Sequence, residues 1–365
     1  MMSEFFDVVI VGGGIAGASL GAEIASARRT LIVEAEDHCG YHSTGRSAAF
    51  FLESYGGPDV AELTIASGPV LENPPSDFFE RSFLYRRGAI HLSEDGWAEL
   101  PSSVPVERLA RADLDAMVPG LRPRWTRALL EPGCADIDVA ALHTAFLRRF
   151  KRCGGEVRCG SRLKRATREQ DGWTVELADG TKLTCAILVD AAGAWADRVA
   201  AACGVQPLGF APMRRTLVQL RVGQPGVKDL PLIDDAAGTF YFKGEGEQSV
   251  WLSPHDEIPT EPCDAAPEEI DIATAIDRFE KAVDWPVERV ERSWAGLRTF
   301  APDRLPVYGF DVRAPRFFWC AGQGGFGIQT SPAAAKLAAA VLLGTAPESI
   351  VAHIDPATFS PARFG

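Results

Sequence analysis

A glycine-rich turn near the start of the chain has the residue types and the spacing of a dinucleotide-binding site. Residues 12–17 read GGGIAG and follow an apolar run rich in β-branched residues. In such turns Gly12 permits the tight bend, Gly14 lets backbone N–H groups approach a pyrophosphate, and Gly17 allows close packing of helix on strand. Glu34 ends the next apolar run, where a carboxylate can accept the ribose hydroxyls of an adenosine. These residues predict a dinucleotide site.

A second glycine-rich turn, residues 321–329 (AGQGGFGIQ), lies near the other end of the chain. Ser331 is a favoured N-cap residue and Pro332 a favoured first helical residue, so we expect a helix to begin there. Free N–H groups at a helix N-terminus would stabilise the negative charge of a reduced flavin. An ordinary turn before a surface helix would have the same composition, so this pattern alone leaves both interpretations open.

The segments between the two turns favour FAD over NAD as the dinucleotide. A nicotinamide dehydrogenase would continue after the first turn with further βα units. This chain continues with a small, polar segment at 42–49 (HSTGRSAA), which we interpret as a loop that opens a helix, and then with a long irregular insertion. Such an arrangement suits a long dinucleotide that lies extended through the protein.

Composition and charge argue against several classes of protein. The chain has 365 residues, of which 46% are apolar and 24% charged, as in ordinary globular proteins. Its formal net charge of -12 argues against nucleic acid or an anionic membrane as the main partner. No apolar stretch approaches the ~20 residues of a membrane span, and the first residues lack the pattern of a signal peptide. We therefore expect a cytoplasmic protein without a transmembrane segment.

The cysteines give no sign of a metal site. There are 8 of them, and they form neither a CxxC pair nor a Cys/His cluster with metal-ligand spacing. We expect reduced, mostly structural thiols and no disulfide framework.

The segments that must position the two turns alternate between two kinds of structure, βαβ units and antiparallel sheet. Apolar runs flanking a helix predict a βαβ unit within 5–33, and the strand 317–320 followed by a helix over 333–343 returns to that style. Alternating runs at 216–222, 239–243 and 249–253 are typical of antiparallel sheet. We predict an α/β fold in which a Rossmann-like FAD-binding domain is interleaved with an α+β substrate domain built on an antiparallel sheet. The predicted FAD-binding domain comprises residues 1–54, 137–204 and 303–365, and the predicted substrate-binding domain comprises residues 55–136 and 205–302.

A series of ordered motifs resembles the D-amino-acid oxidase superfamily of FAD-dependent oxidoreductases, and most closely its bacterial D-arginine dehydrogenase type. The resemblance covers nearly the whole chain. It rests on the segments GGGIAGAS, GYHSTGRSAA, DIDVAALH, VDAAGAWAD, PMRR, FYFK, IDIATA, WAGLRTF and GQGGFGIQTS. It implies a bilobal fold in which the antiparallel sheet of the substrate domain covers one face of the flavin.

The resemblance also implies which residues contact FAD. The first turn and Glu34 would hold the pyrophosphate and ribose, the loop 43–49 would run along the phosphates toward the isoalloxazine, and the second turn would meet the pyrimidine ring. The implied FAD-binding residues are Gly12, Gly14, Ala16, Gly17, Glu34, Ser43, Thr44, Gly45, Arg46, Ser47, Ala48, Ala49, Leu163, Gly193, Trp195, Gly324, Gly325, Phe326, Gly327, Ile328 and Gln329.

Four further residues match the substrate pocket of the family. Arg298 resembles the arginine that clamps the substrate carboxylate, for which a planar guanidinium offers two parallel hydrogen bonds. By the same resemblance Tyr241 would hydrogen-bond that carboxylate, Arg215 would be a second pocket arginine, and Tyr55 would lie over the substrate. Outside this context Arg298 would be interpreted as a member of a surface ion pair, and the tyrosines as core or rim residues.

Two departures from the D-arginine type concern the side chain of the substrate. Phe50 stands where that type has a histidine, and the segment Arg86-Arg87-Gly88 lacks the acid that would hold a guanidinium. Phe50 and Leu52 would make one wall of the pocket apolar, and a basic neighbour would repel a cation. We therefore expect neutral or aromatic D-amino acids to be preferred over D-arginine.

The resemblance implies an FAD-dependent oxidative deamination of a D-amino acid, in which a hydride leaves Cα and the imine hydrolyses to a 2-oxo acid and ammonia. Oxidation of a secondary amine or a 2-hydroxy acid on the same fold is an alternative, because a carboxylate clamp does not distinguish amine from hydroxyl. A flavin-binding protein without turnover is an alternative from another class. The electron acceptor, whether oxygen, a quinone or a carrier protein, stays open.

Overall fold

The computed structural model describes residues 4–94, 96–101 and 104–365, which form runs of strands separated by single helices. The strands are β1 (Glu4–Val11), β2 (Thr30–Val33), β3 (Phe50–Phe51), β4 (Leu84–Arg86), β5 (Ala89–Ser93), β6 (Glu107–Ala110), β7 (Arg127–Glu131), β8 (Ala135–Ile137), β9 (Glu156–Arg158), β10 (Leu163–Arg168), β11 (Trp173–Leu177), β12 (Lys182–Asp190), β13 (Ala211–Val222), β14 (Leu232–Asp235), β15 (Tyr241–Gly246), β16 (Ser249–Ser253), β17 (Ile258–Pro259), β18 (Val287–Phe300), β19 (Val307–Phe310), β20 (Phe317–Ala321) and β21 (Gln323–Gly324). The α-helices are α1 (Ile15–Ile24), α2 (Pro58–Glu72), α3 (Arg111–Met117), α4 (Val139–Arg152), α5 (Ala196–Ala202), α6 (Glu269–Ala282) and α7 (Gly327–Leu343).

The first sheet is a parallel core with antiparallel edges. Its order is β10-β11-β12-β1-β2-β9, and β20, which carries β19, pairs with β12. Strand β1 pairs in parallel with both β2 and β12, which places the predicted βαβ unit at the centre. Helices α1, α4 and α7 pack together in one hydrophobic cluster on this sheet. The parallel strands are nearly all buried, as strands covered on both faces must be.

The second sheet is almost entirely antiparallel. Its order is β21-β18-β13-β16-β15-β14-β5-β7-β6, with β17 beside β13. One face packs on α6 in a cluster that contains Phe242, Phe279 and Trp285. Arg215 and Tyr241 lie on the opposite face of this sheet and line a cavity. The α/β fold class with an antiparallel second sheet, predicted from the sequence, is confirmed.

Helix α2 is a feature that the sequence analysis missed, because Gly68 and Pro69 look like helix breakers. Pro58 occupies the first turn, where proline is tolerated, and the hydroxyls of Thr64 and Ser67 donate to the carbonyls four residues before them inside the helix. The helix packs on α7 and belongs to the hydrophobic cluster of the first sheet. We therefore propose that the domain boundary drawn before residue 55 lies after Glu72 instead.

Two local predictions about helix starts are wrong. The loop 42–49 does not open a helix but leads into β3. Helix α7 begins at Gly327, four residues before the expected cap, and the Ser331 hydroxyl donates to the Ile328 carbonyl inside the helix. Pro332 is the sixth residue of the helix, where an N–H would donate to the Ile328 carbonyl, and the Ser331 hydroxyl supplies that hydrogen bond instead. None of the described helices has the length and apolarity needed to cross a membrane.

Candidate active site

A cavity of about 500 Å³ lies between the two sheets and extends from the first glycine turn to Arg298. The ends of β1, β2 and β12 form one end, the loop 43–49 crosses its middle, and the second sheet with the start of α7 forms the other end. All four predicted substrate residues and most of the predicted FAD-binding residues line it. Gly17, Gly45 and Phe326 are the predicted residues that do not.

The first turn is shaped for a close approach of backbones. Gly12 has φ of 110°, and a Cβ there would lie 2.4 Å from the Ala191 carbonyl oxygen. A Cβ on Gly17 would lie 2.0 Å from the Gly12 carbonyl oxygen. Gly17 therefore supports the turn from behind by letting α1 touch it, which is the packing role expected from its position in the motif.

Glu34 is held in place by backbone groups. One carboxylate oxygen accepts the Gly13 N–H at 2.8 Å and the other accepts the Glu36 N–H at 3.0 Å. Each oxygen keeps a second lone pair, so the carboxylate can still accept the hydroxyls of a ribose. Leu163 borders the same end of the cavity. The donor set and the cradle around Gly12 fit an adenosine diphosphate moiety.

The loop 43–49 joins the turn to the second sheet. Thr44 Oγ1 accepts the N–H of Ile15 at 3.0 Å, and Ser43 donates its hydroxyl to the Leu297 carbonyl at 2.6 Å. Arg46 donates to the Ala265 carbonyl at 2.8 Å and pairs with Asp264. Gly45 lies outside the cavity because its N–H is bonded back to the Gly40 carbonyl. The loop is therefore fixed at one side to the start of α1 and at the other to the second sheet.

His143 supports the turn and was not singled out from the sequence. Its Nε2 lies 2.9 Å from the Gly13 carbonyl oxygen, to which only a protonated ring nitrogen can donate. Burial lowers the pKa of this imidazole. The signal that could have identified it is its position on the buried face of the predicted helix that contains Leu142 and Phe146.

The second glycine turn closes the other end. Gly324 pairs with Thr299 as part of β21, has φ of 51°, and would place a Cβ 2.3 Å from the Phe300 ring. Gln329 accepts the Leu52 N–H at 3.2 Å and donates to Thr64 at 2.9 Å, which ties α7 to α2 and to the loop before it. Phe326 lies behind the turn, packed edge-on against Tyr55 and Phe300.

Arg298 has a free cationic face in the cavity. Its Nη1 donates to the Tyr55 hydroxyl at 2.8 Å, and no carboxylate of the described residues lies within ion-pair distance. Gly325 lies against this pair, since a Cβ there would be 2.7 Å from Tyr55 Oη and 3.1 Å from Arg298 Cζ. A partly buried guanidinium without an anionic partner is a binding group for an anion.

Arg215 differs from Arg298 because its guanidinium already has oxygen partners within the protein. Its Nε donates to the Asp256 carbonyl at 2.6 Å, and carboxylate oxygens of Asp256 and Glu257 both lie 3.6 Å away. Burial and the charge of Arg298 lower its pKa. We interpret Arg215 as a buried group that shapes the pocket rather than one whose charge is free.

Tyr241 lies between Phe50 and His255, with ring centroids at 6.1 Å and 5.8 Å. His255 was not predicted from the sequence. Its Nδ1 lies 2.7 Å from the Gly238 carbonyl oxygen, so this nitrogen carries the proton and Nε2 keeps a lone pair in the neutral ring. Burial, followed by the charge of Arg215, lowers its pKa to about 4. The imidazole is therefore neutral at pH 7.

Asp234 is a cavity residue that the sequence analysis also missed. It lies opposite Tyr241 on β15 and beside His91 on β5, and its Oδ1 is 2.8 Å from His91 Nδ1. His91 Nε2 lies 3.3 Å from buried Glu131. Burial alone would lower the pKa of His91, but the two carboxylates raise it to about 10. One imidazolium is thus shared by two carboxylates, which leaves a net negative charge at this wall.

The expectation that Arg86 or Arg87 borders the substrate is wrong. Arg86 pairs with Glu72, and Arg87 donates to Asp136 at 2.8 Å and to the Leu230 carbonyl at 2.6 Å. Neither lines the cavity, whereas Phe50 and Leu52 do. The apolar part of the expected wall is therefore present, but its basic part is absent and an acid lies nearby.

Comparisons with known proteins agree on the family. A family profile described as "DAO: FAD dependent oxidoreductase" matches residues 7–341. The curated "FAD-dependent oxidoreductase domain-containing protein 1" of Xenopus laevis is 24% identical over 93% of this chain and 79% of its own length. L-proline dehydrogenase from P. horikoshii superposes with a TM-score of 0.83 at 20% identity, over 100% of this chain and 98% of that one. Glycine oxidase from Geobacillus kaustophilus superposes with a TM-score of 0.82 at 21% identity, over 99% of both chains.

Proposed function

The chain belongs to the DAO family of FAD-dependent oxidoreductases, and on this premise we propose that it oxidatively deaminates a D-amino acid. The single observation that carries the proposal is Arg298, a guanidinium that faces the cavity with no anionic partner among the residues that the structure describes. Such a group suits the carboxylate that every amino acid carries. When FAD is bound, it supplies the acceptor for the hydride that leaves the substrate Cα.

The protein's own residues would bind and orient the substrate. Arg298 and Tyr241 would hold the carboxylate, and Tyr55 would fix the guanidinium through its hydroxyl and close over the substrate. Arg215 would keep its place as a second, paired arginine beside them. With the carboxylate fixed, the Cα–H can be directed at the flavin, which is the positioning on which the rate of such a step depends. The substrate amine must be neutral for its lone pair to assist, and the neutral His255 adds no positive charge beside it.

The side chain of the substrate would lie against the apolar wall of Phe50 and Leu52. We propose a preference for neutral side chains on this ground. Asp234 is the observation that favours a basic side chain instead, because its carboxylate faces the cavity and shares its imidazolium with Glu131. The outcome depends on how much of that negative charge reaches the substrate, which kinetics can measure.

A secondary-amine substrate is the second candidate. The superposed L-proline dehydrogenase is, by its name, an enzyme of a secondary amine, and a carboxylate clamp serves both kinds of amine. The two superposed structures are named for L-proline and glycine, so the narrower resemblance to D-arginine dehydrogenases stays a prediction.

The test is reduction of the bound flavin, followed anaerobically by its absorbance. The panel comprises both enantiomers of leucine, phenylalanine, glutamate, arginine and proline, with glycine and the corresponding 2-hydroxy acids. Faster reduction by D-leucine or D-phenylalanine than by their enantiomers would support the proposal. Reduction by proline alone would favour the second candidate, reduction by a 2-hydroxy acid alone would favour a hydroxy-acid substrate, and no reduction by any compound would favour a flavin-binding protein without turnover.

The same panel run on an Asp234→Asn variant decides the question of side-chain charge. If Asp234 binds a basic side chain, kcat/KM for D-arginine falls by ~10-fold or more while that for D-leucine changes little. If the apolar wall decides, D-leucine stays the better substrate in both proteins.

A further inference from the structure

The structure brings two cysteines together at the adenosine end of the cavity. Cys39 lies after β2 and Cys159 directly after β9, and their Sγ atoms are 3.9 Å apart although 120 residues separate them. Cys159 is exposed and Cys39 is partly buried. Within the described part of the chain, no other two thiols are joined by such a contact. We propose that Cys39 and Cys159 are a reversible dithiol–disulfide pair that secures the bound FAD.

Backbone hydrogen bonds already hold the two segments side by side. The Glu34 N–H donates to the Arg158 carbonyl at 2.9 Å, the Gly160 N–H to the Glu36 carbonyl at 2.8 Å, and the Ser161 N–H to the Glu34 carbonyl at 2.7 Å. A disulfide requires an S–S distance of ~2.05 Å, so the sulfurs must approach by roughly 2 Å. Cys39 lies in a turn and Cys159 in a bend, where side-chain torsions can supply that movement without separating β2 from β9.

The same two segments form both walls of the adenosine end. Glu34 and Glu36 line the cavity on one side, and Ser161 and Leu163 line it on the other. Cys39 also contacts the first turn, because a Cβ on Gly13 would lie 2.4 Å from its Sγ. A covalent bond between the two walls would therefore suppress the local opening through which a dinucleotide must leave.

The oxidation balances with a peroxide as the oxidant. The exposed Cys159 thiol attacks hydrogen peroxide, forming a sulfenic acid and releasing one water. The Cys39 thiol then displaces the hydroxyl group, which leaves as a second water with the Cys39 proton. Two thiols lose two electrons and two protons, and one peroxide becomes two waters. A thiol reductant reverses the step.

The environment of Cys39 controls the rate at which the disulfide forms. Burial, followed by the neighbouring Cys159 thiol, raises the pKa of Cys39 to about 12. The thiol is therefore protonated at neutral pH and attacks slowly. We expect closure by peroxide to be much faster at pH 9 than at pH 7, since the thiolate fraction of a group with that pKa rises about 100-fold between these pH values.

The experiment uses the FAD-loaded protein, first reduced and then treated with hydrogen peroxide. Peptide mapping should find a peptide that links Cys39 to Cys159 and is 2 Da lighter than the two thiol peptides together. The midpoint of thermal unfolding should rise by roughly 5–10 °C, and FAD should be lost more slowly during dialysis against a chaotropic salt. Dithiothreitol should reverse both changes.

The matched control is Cys263→Ser, which removes another exposed thiol. This variant should close normally, whereas Cys159→Ser should show no mass loss, no rise in the midpoint and no slower release of FAD. Failure of the wild-type protein to form the link, or a link that changes neither the midpoint nor FAD release, would overturn the proposal. None of these measurements depends on which substrate the protein oxidises.

Discussion

At the scale of single residues, the candidate site contains two arginines that differ in their partners. Arg215 has carbonyl and carboxylate oxygens around it, whereas Arg298 is hydrogen-bonded, within the described part of the chain, only to the Tyr55 hydroxyl. Both were expected in the pocket from their motifs, but their difference depends on partners contributed by distant segments. The charge available to a substrate is therefore that of Arg298.

Replacing Arg298 by Ala should abolish most substrate capture and leave FAD bound. Loss of a charged partner from a carboxylate costs ~2–5 kcal/mol, so we expect kcat/KM to fall at least ~30-fold. The control is Arg289→Ala, which removes an exposed arginine from the same strand. An Arg298 variant with the kinetics of this control would remove Arg298 from the site.

Replacing Tyr55 by Phe should have a smaller effect of the same kind. It removes only the hydroxyl that accepts from Arg298 and keeps the ring that packs on Phe326. The loss of one such hydrogen bond is worth ~1–2 kcal/mol, so kcat/KM should fall by ~5–30-fold with the absorbance spectrum of the flavin unchanged. A larger loss than in Arg298→Ala would contradict a supporting role for this hydroxyl.

At the scale of elements, glycines decide which strands and helices can meet. Gly17 allows α1 to touch the turn after β1, and Gly324 allows β21 to lie on Phe300. The turn chemistry of the first motif is local and could be predicted from the sequence. The start of α7 could not, because Gly327 lies in a helical turn that tertiary contacts stabilise, among them the bonds of Gln329 to Leu52 and Thr64.

The sequence predicts the features that depend on local patterns, and it does not predict those that depend on tertiary contacts. Parallel and antiparallel strands were predicted because buried runs and alternating runs are local patterns. Asp234, His91 and Glu131 meet only because β14 pairs with β5, and β5 with β7. No local pattern indicates those pairings, so the ionic cluster that they create could not be found from spacing.

A Gly17→Ala variant should disrupt the packing of α1 on the turn that follows β1. The added Cβ would lie 2.0 Å from the Gly12 carbonyl oxygen, so α1 must move away from the turn. We expect a loss of at least ~2 kcal/mol in the free energy of unfolding, together with loss of FAD during purification. Gly133→Ala is the control, because a Cβ there meets no atom within 4 Å. Equal behaviour of the two variants would contradict the packing argument.

The stability that His91 contributes between strands of the second sheet should depend on pH. The pKa of His91 is raised to about 10 in the folded protein, against ~6.5 in an unfolded chain. Its stabilising contribution is therefore fully present below pH ~6.5 and is lost as the pH rises through 10. Denaturant titrations should show a steeper loss of stability between pH 7 and 10 for the wild type than for His91→Gln. Parallel curves for the two proteins would show that His91 is not charged when folded.

At the scale of the whole molecule, the cavity takes its lining from both sheets, and the loop 43–49 is hydrogen-bonded to the start of α1 and to the second sheet. A ligand that fills this cavity binds the folded state alone, so it stabilises the protein by mass action. Removing FAD should lower the midpoint of thermal unfolding by several degrees, since saturation at ~100 times the Kd contributes ~2.7 kcal/mol. Differential scanning calorimetry before and after reconstitution with FAD measures this, and equal midpoints would argue that the cofactor does not join the two sheets.

The pairing order of the strands also governs how the chain can fold while it is being made. Strand β5 must wait for β14, which begins at Leu232, and β12 must wait for β20, which begins at Phe317. Until then, two apolar edges stay open on the nascent chain, and contacts of this sequence separation form slowly. Neither sheet can be completed before most of the protein has left the ribosome. Recovery of native protein should therefore depend on chaperones that shield strand edges during synthesis.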